Sequence, residues 1–365
     1  MGKRHPLWAE LLFEQAPIVV TVLGLAVAAS YLQHGSLVGG DRPFPLAGIK
    51  VPLWHLLWLG FWTGYTMALV GEATGIFSLP YAMSILRFDN IHVSPTTLVI
   101  TVINPLGALL GFRRAGQWNL DFALWPCVGA LIGSQVGPFI RVAYLSDPLP
   151  FKALVGVALF WLGLHLVWEI TPWYLTKREA QRLFAERFRA RAREEAAAGR
   201  LPSGIPEGAP IRTLERSFRR IRIGFLDHEW TLSVPLLVAL GLGVGVVAST
   251  LGVGGGFLMT PLLVTLFRLP MYVIVAATIP FVMLQSIIGL VSYTVVVPAL
   301  MGRYDPPEWA FGLFVAAPAV FGAWLAAKTQ RFVPESYLKL VAGVITGLGG
   351  LAYVVNYFVG LPFKL

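Results

Sequence analysis

Hydrophobic and polar positions in this chain fall into blocks rather than alternating. Apolar runs of about 20 residues, almost free of charge, are separated by short polar or Pro- and Gly-bearing stretches. Wound as α-helix, a run of that length matches the hydrocarbon thickness of a bilayer, and it is too long for a barrel strand. The pattern predicts long spans near Pro17 to Leu32, Trp54 to Gly71, Ser94 to Phe112, Phe122 to Ile140, Lys152 to Ile170, Leu232 to Thr250, Val273 to Pro298, Trp309 to Ala327 and Leu338 to Phe358. Two shorter apolar stretches, Ile76 to Leu86 and Phe257 to Phe267, cannot cross alone at about 1.5 Å per residue and are predicted as half-helices.

Between Thr171 and Thr231 the pattern breaks. Lys177 to Ala198 is rich in Arg, Glu and Ala, a helical composition, and a Gly- and Pro-rich linker follows from Gly199 to Pro210. Leu183, Phe184 and Phe188 offer an apolar stripe that can lie on lipid while the arginines face phosphates. The basic excess places this connector in the cytoplasm and the protein in the inner, cytoplasmic membrane, with anionic lipids as partners of the loop. The chain therefore divides into an extra N-terminal helix and connector (1–53), a first transmembrane repeat (54–172), a basic cytoplasmic loop (173–231) and a second repeat (232–365). No small-residue cleavage site follows the first apolar run, which reads as a retained helix.

The two repeats are visible directly. Gly71 to Pro80 overlies Gly252 to Pro261, a shift of 181 positions, and the same shift pairs Gly75 with Gly256, Arg87 with Arg268, Thr97 with Thr278 and Asn104 with Gln285. Farther along, Gly133 pairs with Gly322, and Lys152, Gly156 and Gly163 pair with Lys339, Gly343 and Gly350. The expected fold is all-α: a polytopic helical membrane protein with two related four-helix-type halves, each holding a broken or re-entrant half-helix, arranged as an inverted repeat.

Composition narrows the function classes. A mean hydropathy of +0.70 with 56% apolar and 13% charged residues excludes an ordinary soluble domain. The net charge of +9 is clustered beside hydrophobic spans, which favours a membrane surface over nucleic acid. Cys127 is the single cysteine, inside an apolar run, so no intramolecular disulfide or zinc knuckle is available. Six scattered histidines, with no His-Glu-x-x-His and no nucleophile elbow, argue against an enzyme. No metal and no cofactor is expected; a proton gradient is the one energy source to consider.

The sharpest motif is Gly252-Val-Gly-Gly-Gly-Phe-Leu-Met-Thr-Pro261, between an apolar helix and a half-helix. Gly252, Gly254, Gly255 and Gly256 permit unusual dihedrals and close approach, and the half-helix start presents unpaired N–H groups, a combination that binds anions. Its first-half counterpart offers Gly71, Thr74 and Gly75. Close helix packing through small residues is the competing account. Paired broken helices in a duplicated membrane fold favour a substrate role. A dinucleotide site is excluded, because no strand-helix unit or ribose-binding acid accompanies the glycines. Thr97 with Asn104, and Thr278 with Gln285, stand seven residues apart, close to one helix face, and are candidate ligands for oxyanion oxygens or else helix-to-helix hydrogen bonds. Ser292 and Tyr293 are weaker candidates. Glu72, inside the first interruption, is a candidate proton carrier or a helix cap. His165 and Glu169, four apart, form a candidate proton relay or a satisfied pair near the membrane edge. Arg87 and Arg268, just past the half-helices, attract anions or anchor the interface.

The Gly252 to Pro261 signature, its degenerate earlier copy and the pattern of one plus four plus four spans resemble the TauE/SafE family of sulfite and organosulfonate exporters. The resemblance covers most of Trp54 to Phe358 and implies movement of a small sulfur-containing anion, such as sulfite, sulfoacetate or a related sulfonate, with proton coupling. It singles out Gly252, Gly254, Gly255, Gly256 and Pro261, with Gly71, Gly75 and Pro80. Glu72 and Thr74 depart from the glycine-rich pattern and point to a specialised first half. A passive anion channel, or a scaffold that recruits a partner through the basic loop, are the alternatives. Oligomeric state is left open.

Overall fold

The computed structural model describes residues 11–70, 75–107, 119–171, 211–225, 228–329 and 335–360. The apolar blocks form helices mostly at the expected places: α1 (Ala16–His34), α2 (Leu53–Val70), α3 (Gly75–Ser84), α4 (Val93–Ile103), which stops at its C-cap Asn104 instead of running on as the long span expected over Ser94 to Phe112, α5 (Leu120–Tyr144) and α6 (Pro148–Glu169). After the connector come α7 (Val234–Leu251), α8 (Gly256–Phe267), α9 (Met271–Val291), a π-turn over Ser292–Val296, α10 (Val297–Met301), α11 (Trp309–Thr329) and α12 (Glu335–Val359). Among the described residues seven helices are long and apolar enough to cross a membrane. Their outer faces carry exposed Val20, Leu131, Ile132, Leu164, Ile345 and Leu348, the surface lipid would cover. The half-helices α3 and α8 have 10 and 12 residues, and each holds a proline, Pro80 and Pro261, at the same repeat position.

Glycines set how the two halves interlock. A Cβ on Gly60 would lie 1.9 Å from the Val315 carbonyl oxygen, and one on Gly241 would lie 2.0 Å from that of Pro126. Gly133 meets the Leu242 carbonyl at 2.1 Å, and Gly322 meets that of Phe61 at 2.3 Å. Thus α2 lies on α11 and α7 on α5, each pair running parallel with backbones in contact. The last helices α6 and α12 pair antiparallel, Gly156 against Gly350 and Gly163 against Gly343. So do α4 and α9, with Leu98 beside Gly289 and Thr101 bonded to Ser286.

The connector departs from a purely helical reading. Three strands, β1 (Arg212–Arg216), β2 (Arg220–Phe225) and β3 (His228–Ser233), form an antiparallel sheet in that order. Ile221, Ile223 and Phe225 are buried while Arg220 is exposed, the alternation a half-buried strand requires. The sheet is tied to the start of α5 through Asn119, which caps the helix at Phe122 N (2.8 Å) and donates to Ile211 O and Thr213 Oγ1, both at 3.1 Å. The expected helix Lys177 to Ala198 and the linker after it lie outside the described residues.

The first helix is bound to the body rather than appended. His34, at the end of α1, meets fully buried Glu308 at 2.5 Å, while Gln33 donates to Pro307 O and accepts from Trp309 N. This latch and the sheet sit at opposite ends of α5, since Arg303, close to the latch, reaches Ser146 just past its last turn.

Candidate functional site

The site is assembled around the turn between α7 and α8. Helix α7 stops at Gly252, whose φ of 83° is the left-handed cap that glycine adopts without penalty, and Gly254 repeats it at 72°. A Cβ on Gly252 would fall 2.3 Å from the Ser94 carbonyl oxygen, so the α4 backbone occupies the space a side chain needs. Gly255 differs from the expectation of a special dihedral: its φ is −82°, and its constraint is packing, with Phe281 Cε1 2.5 Å from a built Cβ. The N–H groups of Gly254, Gly255, Gly256 and Phe257 donate to no other described residue. They are the open donors of a helix start.

The two interruptions meet. Gly75, the first residue of α3, would place a Cβ 2.6 Å from the Val253 carbonyl oxygen and 2.8 Å from Thr101. Thr101 also stands against Gly254. Thr101 and Ser286, hydrogen-bonded at 2.9 Å, join α4 to α9 beside the turn. Gln285 is fully buried; its Oε1 receives the Ser286 hydroxyl at 3.4 Å, and its Nε2 has no partner among the described residues. Asn104 is buried at the C-cap of α4 and Thr278 is buried in α9. Thr97 is buried too, but its hydroxyl turns back on Val93 O and Ser94 O at 3.1 and 3.0 Å, which commits its proton to its own helix. Nine consecutive residues of α4, Val93 to Thr101, are buried, so sharing a face does not by itself single out Thr97 and Asn104.

Gly71, Glu72 and Thr74 lie outside the described residues. Arg87 and Arg268 are both exposed, and both have left-handed φ, 63° and 54°; Arg268 is the C-cap of α8, and Arg87 lies in the loop three residues past the end of α3 at Ser84. That places them at the ends of the half-helices, away from the glycine turn. His165 and Glu169 are 3.3 Å apart, and Lys339 closes on the other carboxylate oxygen at 2.9 Å. With Trp161 stacked on His165, they form a cluster where α6 meets α12.

Sequence reasoning passed over three members of this region. Ser94 and Thr101 are ordinary residues in an apolar run. Arg141 lies one position past the expected end of its span at Ile140, yet α5 continues to Tyr144 and Arg141 has no solvent exposure. Tyr293, in the π-turn, is fully buried among Leu98 and Val142, and its hydroxyl donates to Ser249 O at 3.2 Å. Among the described residues no group of three or more His, Cys, Asp or Glu side chains is arranged to hold a metal ion.

Comparison with known proteins agrees with this architecture. The model of the sulfite exporter TauE/SafE family matches residues 9–166 and 56–353. A probable membrane transporter protein of Bacillus subtilis, YunE, is 22% identical over 302 residues, covering 81% of this chain and 94% of its own length. A second relative, the probable membrane transporter protein y4hK of Sinorhizobium fredii, is 26% identical over 154 residues, covering 41% of this chain and 58% of its own. No solved structure matches the chain. The chain belongs to the sulfite exporter TauE/SafE family and is a multi-pass membrane transporter.

Proposed function

We propose that this transporter carries a small sulfur-containing oxyanion, such as sulfite, sulfoacetate or a related sulfonate, by alternating access around the meeting point of α3 and α8. The observation that carries this reading is the contact of Gly75 with Val253, which brings the start of one half-helix onto the turn that begins the other. Two helix starts directed at one locus supply backbone donors and positive dipole ends for an anion.

The halves are related by an axis in the membrane plane in this proposal. Support comes from the reciprocal glycine contacts, and from the antiparallel course of α4 with α9 and α6 with α12, which equivalent helices adopt when one half is upside down. The connector and sheet then face the cytoplasm. Accessible cysteines placed at Tyr304 and Gln330 should label from outside and inside respectively; Tyr304 is chosen because neighbouring Gly302, with φ 64°, tolerates a side chain poorly. The reverse labelling would reject the arrangement.

Proteoliposomes loaded with unlabelled sulfoacetate should accumulate labelled sulfoacetate transiently. Sulfite, taurine, sulfate and a carboxylate serve as competitors. Saturable counterflow identifies a carrier, whereas flux that rises linearly with concentration and shows no counterflow identifies a channel. Proton coupling by Glu72 belongs to the same proposal: Glu72→Gln retains exchange at equal pH and loses accumulation driven by a pH gradient. Full accumulation in that variant would remove Glu72 from the coupling step.

A further inference from the structure

We infer that Arg141 is the fixed cation of an oxyanion-binding station next to the glycine turn, a deepening that rests on the anion-transport reading above. The guanidinium of Arg141 has no solvent exposure. Its Nε donates to the Ser94 hydroxyl at 3.2 Å and its Nη2 to the Asn90 carbonyl at 3.4 Å, while its plane lies over the Phe151 ring, 3.7 Å from the centroid. Nη1 has no partner among the described residues. No carboxylate of a described residue lies within ion-pair distance of Arg141; the nearest acidic influence is Asp305, itself paired with Arg303 at 2.7 Å.

Elementary electrostatics makes this arrangement incomplete. A charge taken out of water is expensive unless paired, and a ring face with two neutral acceptors returns only part of that cost. The location adds to the deficit. Ser94 is the second residue of α4 and Asn90 precedes the helix, so the cation sits at the positive end of a helix dipole, where an anion belongs. Two positive features converge on one dry place with a spare N–H between them.

The station is continuous with the glycine turn. Ser94 receives the Arg141 bond, and its carbonyl oxygen fills the space beside Gly252. One turn before Arg141, Gly137 packs on Thr250, two residues ahead of Gly252. An oxyanion on Nη1 of Arg141 would thus lie at the level where α7 breaks, with the hydroxyl of Ser94 as a neutral neighbour. A forked guanidinium favours a group with two or more acceptor oxygens on one centre, as sulfonates, sulfite, sulfate and carboxylates have, over a spherical halide.

The test measures melting of detergent-purified full-length protein against sulfoacetate, sulfite, sulfate, phosphate, acetate and chloride, for wild type, Arg141→Met, Arg141→Lys and Arg216→Met. The last alters an arginine on the sheet, paired with Asp121. Oxyanions should raise the wild-type and Arg216→Met melting temperatures alike. The midpoint concentration should rise about 10- to 100-fold in Arg141→Met and by less in Arg141→Lys, as loss of a charge-assisted contact implies. Without anion, Arg141→Met should melt at or above the wild-type temperature, because a structural arginine would be missed and an uncompensated one would not. An unchanged anion response in Arg141→Met overturns this inference and leaves the transport reading standing. Stabilisation only by oxyanions without sulfur, lost in Arg141→Met, upholds the station and sinks the sulfur substrate. No stabilisation of wild type by any of the oxyanions sinks both. Should Arg141→Met fail to fold, backbone hydrogen exchange of wild type over 90–97 and 138–144 decides: slowing on addition of the stabilising oxyanion, weakened in Arg141→Lys, upholds the station, and unchanged exchange overturns it.

Discussion

Gly252, Gly255 and Gly243 are chemically identical and physically unlike. At Gly252 an added methyl meets both a left-handed φ, about 1–2 kcal/mol for an L-residue, and a carbonyl oxygen that cannot yield. Gly255→Ala meets side chains alone, the edge of Phe281 and a methyl of Val244, and Gly243, inside α7 with nothing within 4 Å, would gain helix propensity of about 0.5–1 kcal/mol on becoming Ala. Melting temperatures in detergent should therefore rank Gly243→Ala at or above wild type, Gly255→Ala below it and Gly252→Ala lowest; a Gly255→Ala protein less stable than Gly252→Ala would contradict the geometry. The glycine run was legible as a special turn because only glycine takes such positions in numbers. Which glycine is constrained by dihedral and which by a neighbour was not, since the neighbours, Ser94 and Phe281, are far away in sequence. Arg141 was hidden for a related reason: an arginine next to the end of an apolar run looks interfacial until the helix is seen to continue past it.

Most helix positions were readable from block length alone, within a few residues; the exception is the long span expected over Ser94 to Phe112, where α4 ends at Ile103. The sheet was less so, although the alternation Arg220, Ile221, Arg222, Ile223 carries the period of a strand, because the basic composition of the connector drew the eye to charge rather than periodicity. Asn119 links both kinds of element. Asn119→Ala removes a helix cap, about 0.5–2 kcal/mol, and the two donors that hold β1, so backbone hydrogen exchange at 211–216 should accelerate along with a drop in melting temperature. Exchange that stays slow there would mean the strand is held by its neighbours alone. The glycine contacts between halves make a second forecast. Gly60→Ala and Gly241→Ala meet equivalent carbonyl oxygens at 1.9 and 2.0 Å and should lower the melting temperature by similar amounts, more than Gly24→Ala, which has nothing within 4 Å. The duplication announced that such pairs exist; that each glycine packs against the opposite half rather than its own follows only from three dimensions.

Across the whole molecule, the first helix proves integral. His34→Ala leaves fully buried Glu308 without its side-chain partner, with Leu46 N still donating to it, and a buried polar group stripped of a hydrogen-bond partner typically costs about 1–3 kcal/mol. Expression as a monodisperse species should fall sharply, and His34→Gln, which keeps a donor, should recover part of it. Equal yields from all three proteins would show that α1 is held by its apolar face instead. The latch also bears on transport. In a perfectly inverted pair, exchanging the conformations of the two halves turns the molecule upside down, and the two access states are degenerate in free energy. If the proposed inverted, alternating-access arrangement holds, that degeneracy would be lifted by parts without a counterpart, α1 fastened beside Glu308 near one end of α5 and the sheet fastened to Asn119 at the other. On that proposal, whichever attachment must be strained to open its own end would set the resting orientation, so the appendages, not the repeated core, would decide which side of the membrane the empty carrier faces.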